Sequence, residues 1–221
     1  MILLRHAHSI ANEKGVLAGR ASGITLSKKG LNQAEDLKKR LGNLNPKEIR
    51  ISPMERCLLT IKPWLSDQEI SHKGITIDKG LSEVDYGDWT GKKLSLLSLK
   101  KEWRVVQKTP SRMIFPGGEA LVEVQKRAMK SVMKSIERNK GGVVLFVSHG
   151  DVIKAIIAEA LELELDKFQK IVIDPAAISV LDFSKNKFRV LHLNDSSTQF
   201  GYLSKKSRSL KSVVGGGSGR A

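Results

Sequence analysis

The sequence predicts an α/β protein with a mostly parallel central sheet and an antiparallel strand pair at one sheet edge. Three observations predict it. Short apolar runs alternate with longer segments whose apolar residues recur every three or four positions. The strongest strand, VVLFV at 143–147, is bounded by Gly-Gly before it and Ser-His-Gly after it. Two further runs, about 177–183 and 188–193, are separated only by SKNK and read as a hairpin. Strands that alternate with helices imply a parallel sheet with crossover helices.

The elements follow in order. Ile2–Leu4 is a short buried strand. Residues 13–26 carry Gly15, Gly19 and Gly23 without periodicity and form a loop. Ser27 is placed to cap a helix bearing Leu31, Ala34, Leu37 and Leu41, which Gly42 ends. Glu48–Ile51 is a second strand. A helix starts at Pro53 with Met54, Leu58 and Ile61 on one side, and Pro63 is expected to kink or end it. Gly74–Asp78 is a third strand, residues 79–92 an acidic, glycine-bearing loop, and residues 93–115 weakly helical. The turn PGGE at 116–119 feeds a helix over about 119–139 with Leu121, Val124, Ala128, Val132 and Ile136 as its inner stripe. A last helix spans about 151–162. No internal repeat or inner domain boundary interrupts the series.

Composition narrows the functions. The 221 residues are 40% hydrophobic, enough for one substantial core and short for two. No apolar stretch approaches the roughly 18–20 residues of a membrane span, and no secretory leader pattern follows Met1. The single cysteine, Cys57, excludes an internal disulfide framework and reads as a small buried hydrophobe. A cytoplasmic protein is expected. The net charge of +15 favours an anionic partner. Part of that charge lies in residues 204–221, a basic Ser/Gly-rich segment expected to be a flexible tail behind a folded domain of residues 1–203.

Two predicted strands end in histidine: ILLRH in His6, VVLFVSHG in His149. Ligands of open α/β sheets bind beyond the carboxyl ends of the strands. Arg5 stands beside His6, and the helix after Gly150 offers free N–H groups that favour an anion. SPMERC at 52–57 adds Arg56 near a third strand end. Alone, an Arg-His pair at a strand end is more often a solvated terminus than a site, and a His before a helix can be only its cap. Together, two arginines and two histidines make a phosphate pocket, because the guanidinium fork matches phosphate oxygens.

RHAHSIAN resembles the RHGxSxxN signature of the histidine phosphatase superfamily, the phosphoglycerate-mutase-like fold. TLSKKGLNQAEDLKKRL, ISPMERCLLT, LSEVDYGDWTG, FPGGEAL and VSHGDVIKAI resemble that family's further segments, in the family's order. The match runs from about residue 1 to about 195. LAGR, SEVDYGDWTG, WRVVQ, FPGGE and SHGDVIKA together resemble an actinobacterial subgroup labelled phosphomutase.

The resemblance implies a three-layer α/β/α sandwich and metal-independent phosphoryl transfer. It makes His6 the nucleophile, its other nitrogen fixed by a backbone carbonyl. Arg5, Arg56 and His149 surround the transferring phosphoryl group, Asn12 contacts the same group, and Glu83 serves as acid and then base. Ser9 is a secondary contact. Gly19 and Arg20, in LAGRASGIT, approach the far end of the substrate, and Trp89 walls the pocket. Two positions depart from the pattern. Ala7 stands where the family usually has Gly, a substitution that occurs in the family and whose methyl can crowd the backbone near the phosphate, and His8 stands outside the catalytic set. His72, His192, Trp64 and Trp103 are read as structural.

The expected partner is a small phosphorylated substrate, with a homodimer open and no membrane. No cofactor is implied, save 2,3-bisphosphoglycerate if the chain is a mutase. Hydrolysis of a phosphomonoester leads, because the segment before PGGE is short and Glu83 is followed by Val84 rather than the Arg of the mutases. The alternatives are a phosphoglycerate mutase or related phosphomutase using the same residues, a basic nucleic-acid-binding module, and a metal site on His6 and His8. Basic residues that are spread out, with few aromatics between them, argue against nucleic acid, and the lack of a third ligand at metal spacing argues against the metal.

Overall fold

In the computed structural model, which describes residues 1–67 and 74–204, six strands form one sheet. They are β1 (Ile2–Arg5), β2 (Glu48–Ile51), β3 (Ile75–Ile77), β4 (Val144–Ser148), β5 (Ile178–Ser184) and β6 (Lys187–Asp195), in the order β3-β2-β4-β1-β5-β6. The first four positions are parallel; β5 runs antiparallel to β1, and β6 to β5. Lys185 and Asn186, at φ 51° and 59°, close the β5–β6 hairpin, as a two-residue turn with both central residues left-handed does.

Seven helices are described: α1 (Ile10–Glu13), α2 (Lys28–Leu41), α3 (Glu55–Asp67), α4 (Leu94–Leu97), α5 (Lys101–Lys108), α6 (Leu121–Arg138) and α7 (Gly150–Ala160). The period-2 alternation of the strands divides the core between two faces. Leu3, Val144 and Phe146 pack with α6 and α7 residues such as Val124, Val132 and Ile156. Ile2, Leu4, Leu145 and Val147 pack on the other face with Leu37, Leu41, Ile61 and Trp64 of α2 and α3. Both faces of the central strands are therefore covered, which is why they read as unbroken apolar runs.

Local signals set the helix ends. Ser27 accepts from Gly30 N at 3.2 Å, and Gly42 follows the last turn of α2 at φ 49°. Pro63 does not end its helix: α3 continues to Asp67. The turn beyond Pro63 carries Trp64, which is buried in the core and donates from Nε1 to Gly42 O at 2.9 Å, so tertiary packing holds a turn that lacks one backbone donor. The segment 93–115 resolves into α4, α5 and a 3₁₀ turn at Pro110–Arg112. Trp89 does not wall the pocket. It is buried against Phe115 and stacks on Trp103 with ring centroids 6.2 Å apart. His72 and all but the first residue of the 204–221 segment lie outside the described residues.

Candidate active site

The parallel register of β1 and β4 brings the two histidines together. Arg5 pairs with Ser148, so the next residues, His6 and His149, leave the same sheet edge side by side, their rings 5.2 Å apart. His6 N donates to Ser148 O, which holds the strand end in register. β2 leaves the same edge one strand over. Ser52 Oγ lies 2.7 Å from His149 Nε2, and Arg56 enters from the first turn of α3. The two rings, Arg5 and Arg56 thus come from beyond the ends of three neighbouring strands, β1, β4 and β2, rather than from one segment.

His6 is buried, and its Nδ1 lies 2.8 Å from Ala7 O. That acceptor places the proton on Nδ1 and leaves Nε2 unprotonated. Burial first, then the charges of Arg56 and Arg5, hold the imidazole well below its ordinary range, so it stays neutral. The same causes act on His149. Its Nδ1 lies 3.1 Å from Arg56 Nη2, so Nδ1 accepts and Nε2 donates to Ser52. Cys57 is fully buried with Sγ 3.6 Å from His149 Nε2, and burial pushes its thiol up to about 12.

Arg56 is anchored through Nη2, which donates to Gly19 O at 3.0 Å and to His149 Nδ1 at 3.1 Å, and Arg5 by one bond from Nη1 to Ile173 O. The Nε of each is buried without a partner. A buried cationic donor left open costs free energy unless something fills it. Both line a cavity of about 420 Å³ together with His6, Glu83, Asn12 and Ser9. Gly150 also lines it, and a Cβ there would sit 3.3 Å from the Arg5 guanidinium. Gly150 therefore leaves room for that side chain.

Glu83 reaches the same space from the acid loop. Its Oε1 accepts from Val84 N at 2.9 Å, and Oε2 lies 3.5 Å from His149 Nδ1 and 3.8 Å from Arg56 Nη2. Burial pushes its carboxyl up to about 7, against the opposing pull of Arg56. The loop is clamped from behind. Arg127 of α6 donates to the carbonyls of Gly80, Ser82 and Glu83, and Arg20 Nε donates to Glu83 O at 2.9 Å. Glu119 of the PGGE turn joins the two, accepting from Arg127 Nη2 at 2.7 Å and Arg20 Nη2 at 2.8 Å.

The other expected residues fall in different places. Arg20, expected at the far end of the substrate, is engaged by Glu83 O, Asp85 and Glu119 and does not line the cavity; three acceptors in the acid loop and turn outcompete solvent for its fork. Gly19 lines the cavity, and its carbonyl holds Arg56. Ser9 lines it too, but its hydroxyl donates to Asn12 Oδ1 and accepts from Asn12 N, a capping box at α1. Asn12 lines the cavity with Oδ1 so engaged. The Ala7 methyl packs with Leu26, Ala34 and Ala176, in an apolar cluster rather than in the cavity lining. His8 turns its Nδ1 to Ser27 Oγ at 2.8 Å and makes no pair with His6. The sequence reading missed Arg127 and the cavity residues Tyr86, Lys154 and Gln169. The i,i+3 pair Asp151–Lys154, directly after Ser-His-Gly, was a signal for the last group.

Nitrogen and oxygen atoms of His6, Glu83 and His149 lie within 4.8 Å of one another, near enough to share a metal ion. Arg5 and Arg56 press on the same space, and both act on His6 and Glu83 electrostatically. Two guanidiniums favour an anion there.

Known proteins resemble this chain over most of its length. Phosphoserine phosphatase 1 of Hydrogenobacter thermophilus is 29% identical over 199 residues, covering 88% of this chain and 91% of that protein. A 2,3-bisphosphoglycerate-dependent phosphoglycerate mutase of Thermoplasma acidophilum is 26% identical, covering 82% of this chain and 86% of that protein. Among solved structures, Bacillus stearothermophilus YhfR superposes with a TM-score of 0.81 at 26% identity, covering 89% of this chain and 96% of that one. The model of the histidine phosphatase superfamily (branch 1) matches residues 1–196, and the chain belongs to that family.

Proposed function

We propose that this chain hydrolyses small phosphomonoesters through a phosphohistidine on His6. The observation that carries the reading is the pair of open, buried Nε donors of Arg5 and Arg56 beside a neutral His6 whose Nδ1 is already engaged. His6 Nε2 attacks phosphorus in line as the ester P–O bond breaks. Arg5 and Arg56 hold the equatorial oxygens, where charge develops, and His149, both of whose ring nitrogens are engaged by Arg56 and Ser52, positions the Arg56 guanidinium from behind the cavity lining. Glu83, protonated near neutrality by its burial, gives its proton to the leaving alkoxide. Water then attacks the phosphohistidine, Glu83 takes its proton, the P–N bond breaks and inorganic phosphate leaves. The amide of Asn12, whose Oδ1 is engaged, is the group left for a phosphoryl oxygen.

The guanidiniums supply the charge that a metal provides elsewhere, so turnover persists with EDTA present. No described helix is long and apolar enough to cross a membrane, and we place the activity in the cytoplasm. A second reading keeps the same residues: a phosphomutase, as the actinobacterial resemblance and the Thermoplasma relative favour, in which a substrate hydroxyl takes the place of water.

The test uses purified protein in EDTA, a panel of phosphomonoesters, and 3-phosphoglycerate with and without 2,3-bisphosphoglycerate. Phosphate release, with an acid-labile phosphoenzyme that His6→Ala abolishes, is the expected result. Isomerisation without release makes the chain a mutase. Release surviving in His6→Ala overturns the mechanism.

A further inference from the structure

The cavity that Arg5 and Arg56 line is also lined by charged side chains that phosphoryl transfer does not use. Asp151, in the first turn of α7, lines it. Its Oδ2 accepts from the Tyr86 hydroxyl at 2.9 Å and its Oδ1 from Lys154 Nζ at 3.1 Å. Burial pushes the carboxyl up, but Lys154 and the bond from Tyr86 outweigh it and keep the group ionised. A carboxylate oxygen accepts two hydrogen bonds, so both oxygens retain a lone pair, and the side chain is 27% exposed.

Lys154 offers no matching cation. Its ammonium also donates to Gln169 Oε1 at 2.6 Å and lies 4.4 Å from the Phe168 ring centroid, with its side chain 13% exposed. The other cationic side chains of the lining, Arg5 and Arg56, belong to the phosphate site. Besides Glu83 and Asp151, the lining includes one more carboxylate, Asp174. The unpartnered Nε of Arg56, on a side chain 1% exposed, independently marks the cavity as made for a ligand.

A phosphomonoester seated on the arginines thus meets an ionised carboxylate with open acceptor positions and no open cation. We propose that Asp151 selects esters whose alcohol carries a protonated amine, and disfavours those carrying a second anion. This rests on the phosphatase reading and names its substrate class. An ammonium group completes the free lone pairs of Asp151; a carboxylate or second phosphate would face it at close range, where repulsion is weakly screened.

The test compares kcat/KM for O-phosphoethanolamine and for n-propyl phosphate, which differs by a methyl in place of the ammonium, with 3-phosphoglycerate as the anionic comparator. The quantity read is the ratio within each protein, so a general loss of activity cancels. The wild-type ratio of amine to propyl ester is expected to exceed about tenfold, and 3-phosphoglycerate to be the poorest of the three. Asp151→Asn, which keeps the shape and can still accept from Tyr86, brings the ratio near one. Lys154→Met, which leaves Asp151 unopposed, raises it, and this opposite sign carries the test if Asp151→Asn fails to fold. Hydrolysis of both esters without preference, a ratio unchanged in either variant, or a preference for 3-phosphoglycerate overturns this inference and leaves the phosphatase reading standing. Metal-free hydrolysis of no ester at all overturns the phosphatase reading itself.

Discussion

Two buried guanidinium clusters sit on one sheet and finish differently. On β2, Arg50 donates to Glu48 Oε1 at 2.9 Å and to Asp78 Oδ2 at 2.7 Å. Those carboxylates take further hydrogen bonds from Ser131, Ser135 and Asn139, at or just beyond the C-terminal half of α6. At the strand ends, Arg5 and Arg56 have no such closure: the carboxylate nearest Arg56 is 3.8 Å away, and each keeps an open Nε. A closed cluster gains nothing from a ligand; an open one is completed by one. Burial of charge therefore does not mark the site in this fold. Unfilled donors do.

The largest expected effect separates the two clusters. Arg56→Ala lowers kcat/KM by about 10²–10³-fold, the loss typical of one donor to a developing charge. Arg50→Met leaves turnover in place and destabilises the fold by about 3–5 kcal/mol, because Glu48 and Asp78 remain buried without their counter-charge. Steady-state kinetics and urea unfolding on both variants decide it. Lost activity in Arg50→Met with unchanged stability would erase the distinction.

A second test concerns Glu83, which borders the open cluster. Its carboxyl stands at about 7, so the acid form is present below that pH and lost as pH rises through it. His6 is held well below its ordinary range and remains a neutral nucleophile into acid. The kcat/KM profile is expected to be level on the acid side and to fall above about pH 7. Glu83→Gln lowers the plateau by about 10²-fold and removes the fall. An alkaline limb that persists in Glu83→Gln assigns it to another group.

The smallest effect tests how Arg56 is held. Gly19 sits at φ 50°, and a Cβ there would lie 2.7 Å from Thr90 Oγ1. Gly19→Ala is expected to cost about 1 kcal/mol of stability and, by moving the carbonyl that anchors Arg56, to raise KM more than it lowers kcat. A variant with unchanged KM would show that the anchor is dispensable.

The sequence made the open cluster easier to read than its supports. His6 and His149 each follow a strand, and strand ends are legible from apolar runs and glycines, so their convergence could be expected. Glu83 carries no local mark. Its placement depends on Arg127, 44 residues away, and on the burial that lifts its carboxyl. Arg20 lay in a loop without periodicity, and nothing local told that its fork would close on Glu83 O and Glu119 rather than on substrate. Pro63 followed the rule that proline ends a helix, until the buried Trp64 overrode it.

The position of β1 has a consequence for how the protein comes into being. β1 carries the nucleophile to the sheet, yet its neighbours are β4 and β5, which begin at Val144 and Ile178. During synthesis, the strand that leads to His6 emerges well ahead of both and stays unpaired until β4 has followed. Its apolar residues Ile2, Leu3 and Leu4 are exposed through that interval, and pairing at such sequence separation is slow to form. A nascent or truncated chain lacking β5 holds all the catalytic residues and has no strand to close the second edge of β1. Phosphatase activity should then switch on once β5 has emerged and not rise in proportion to chain length.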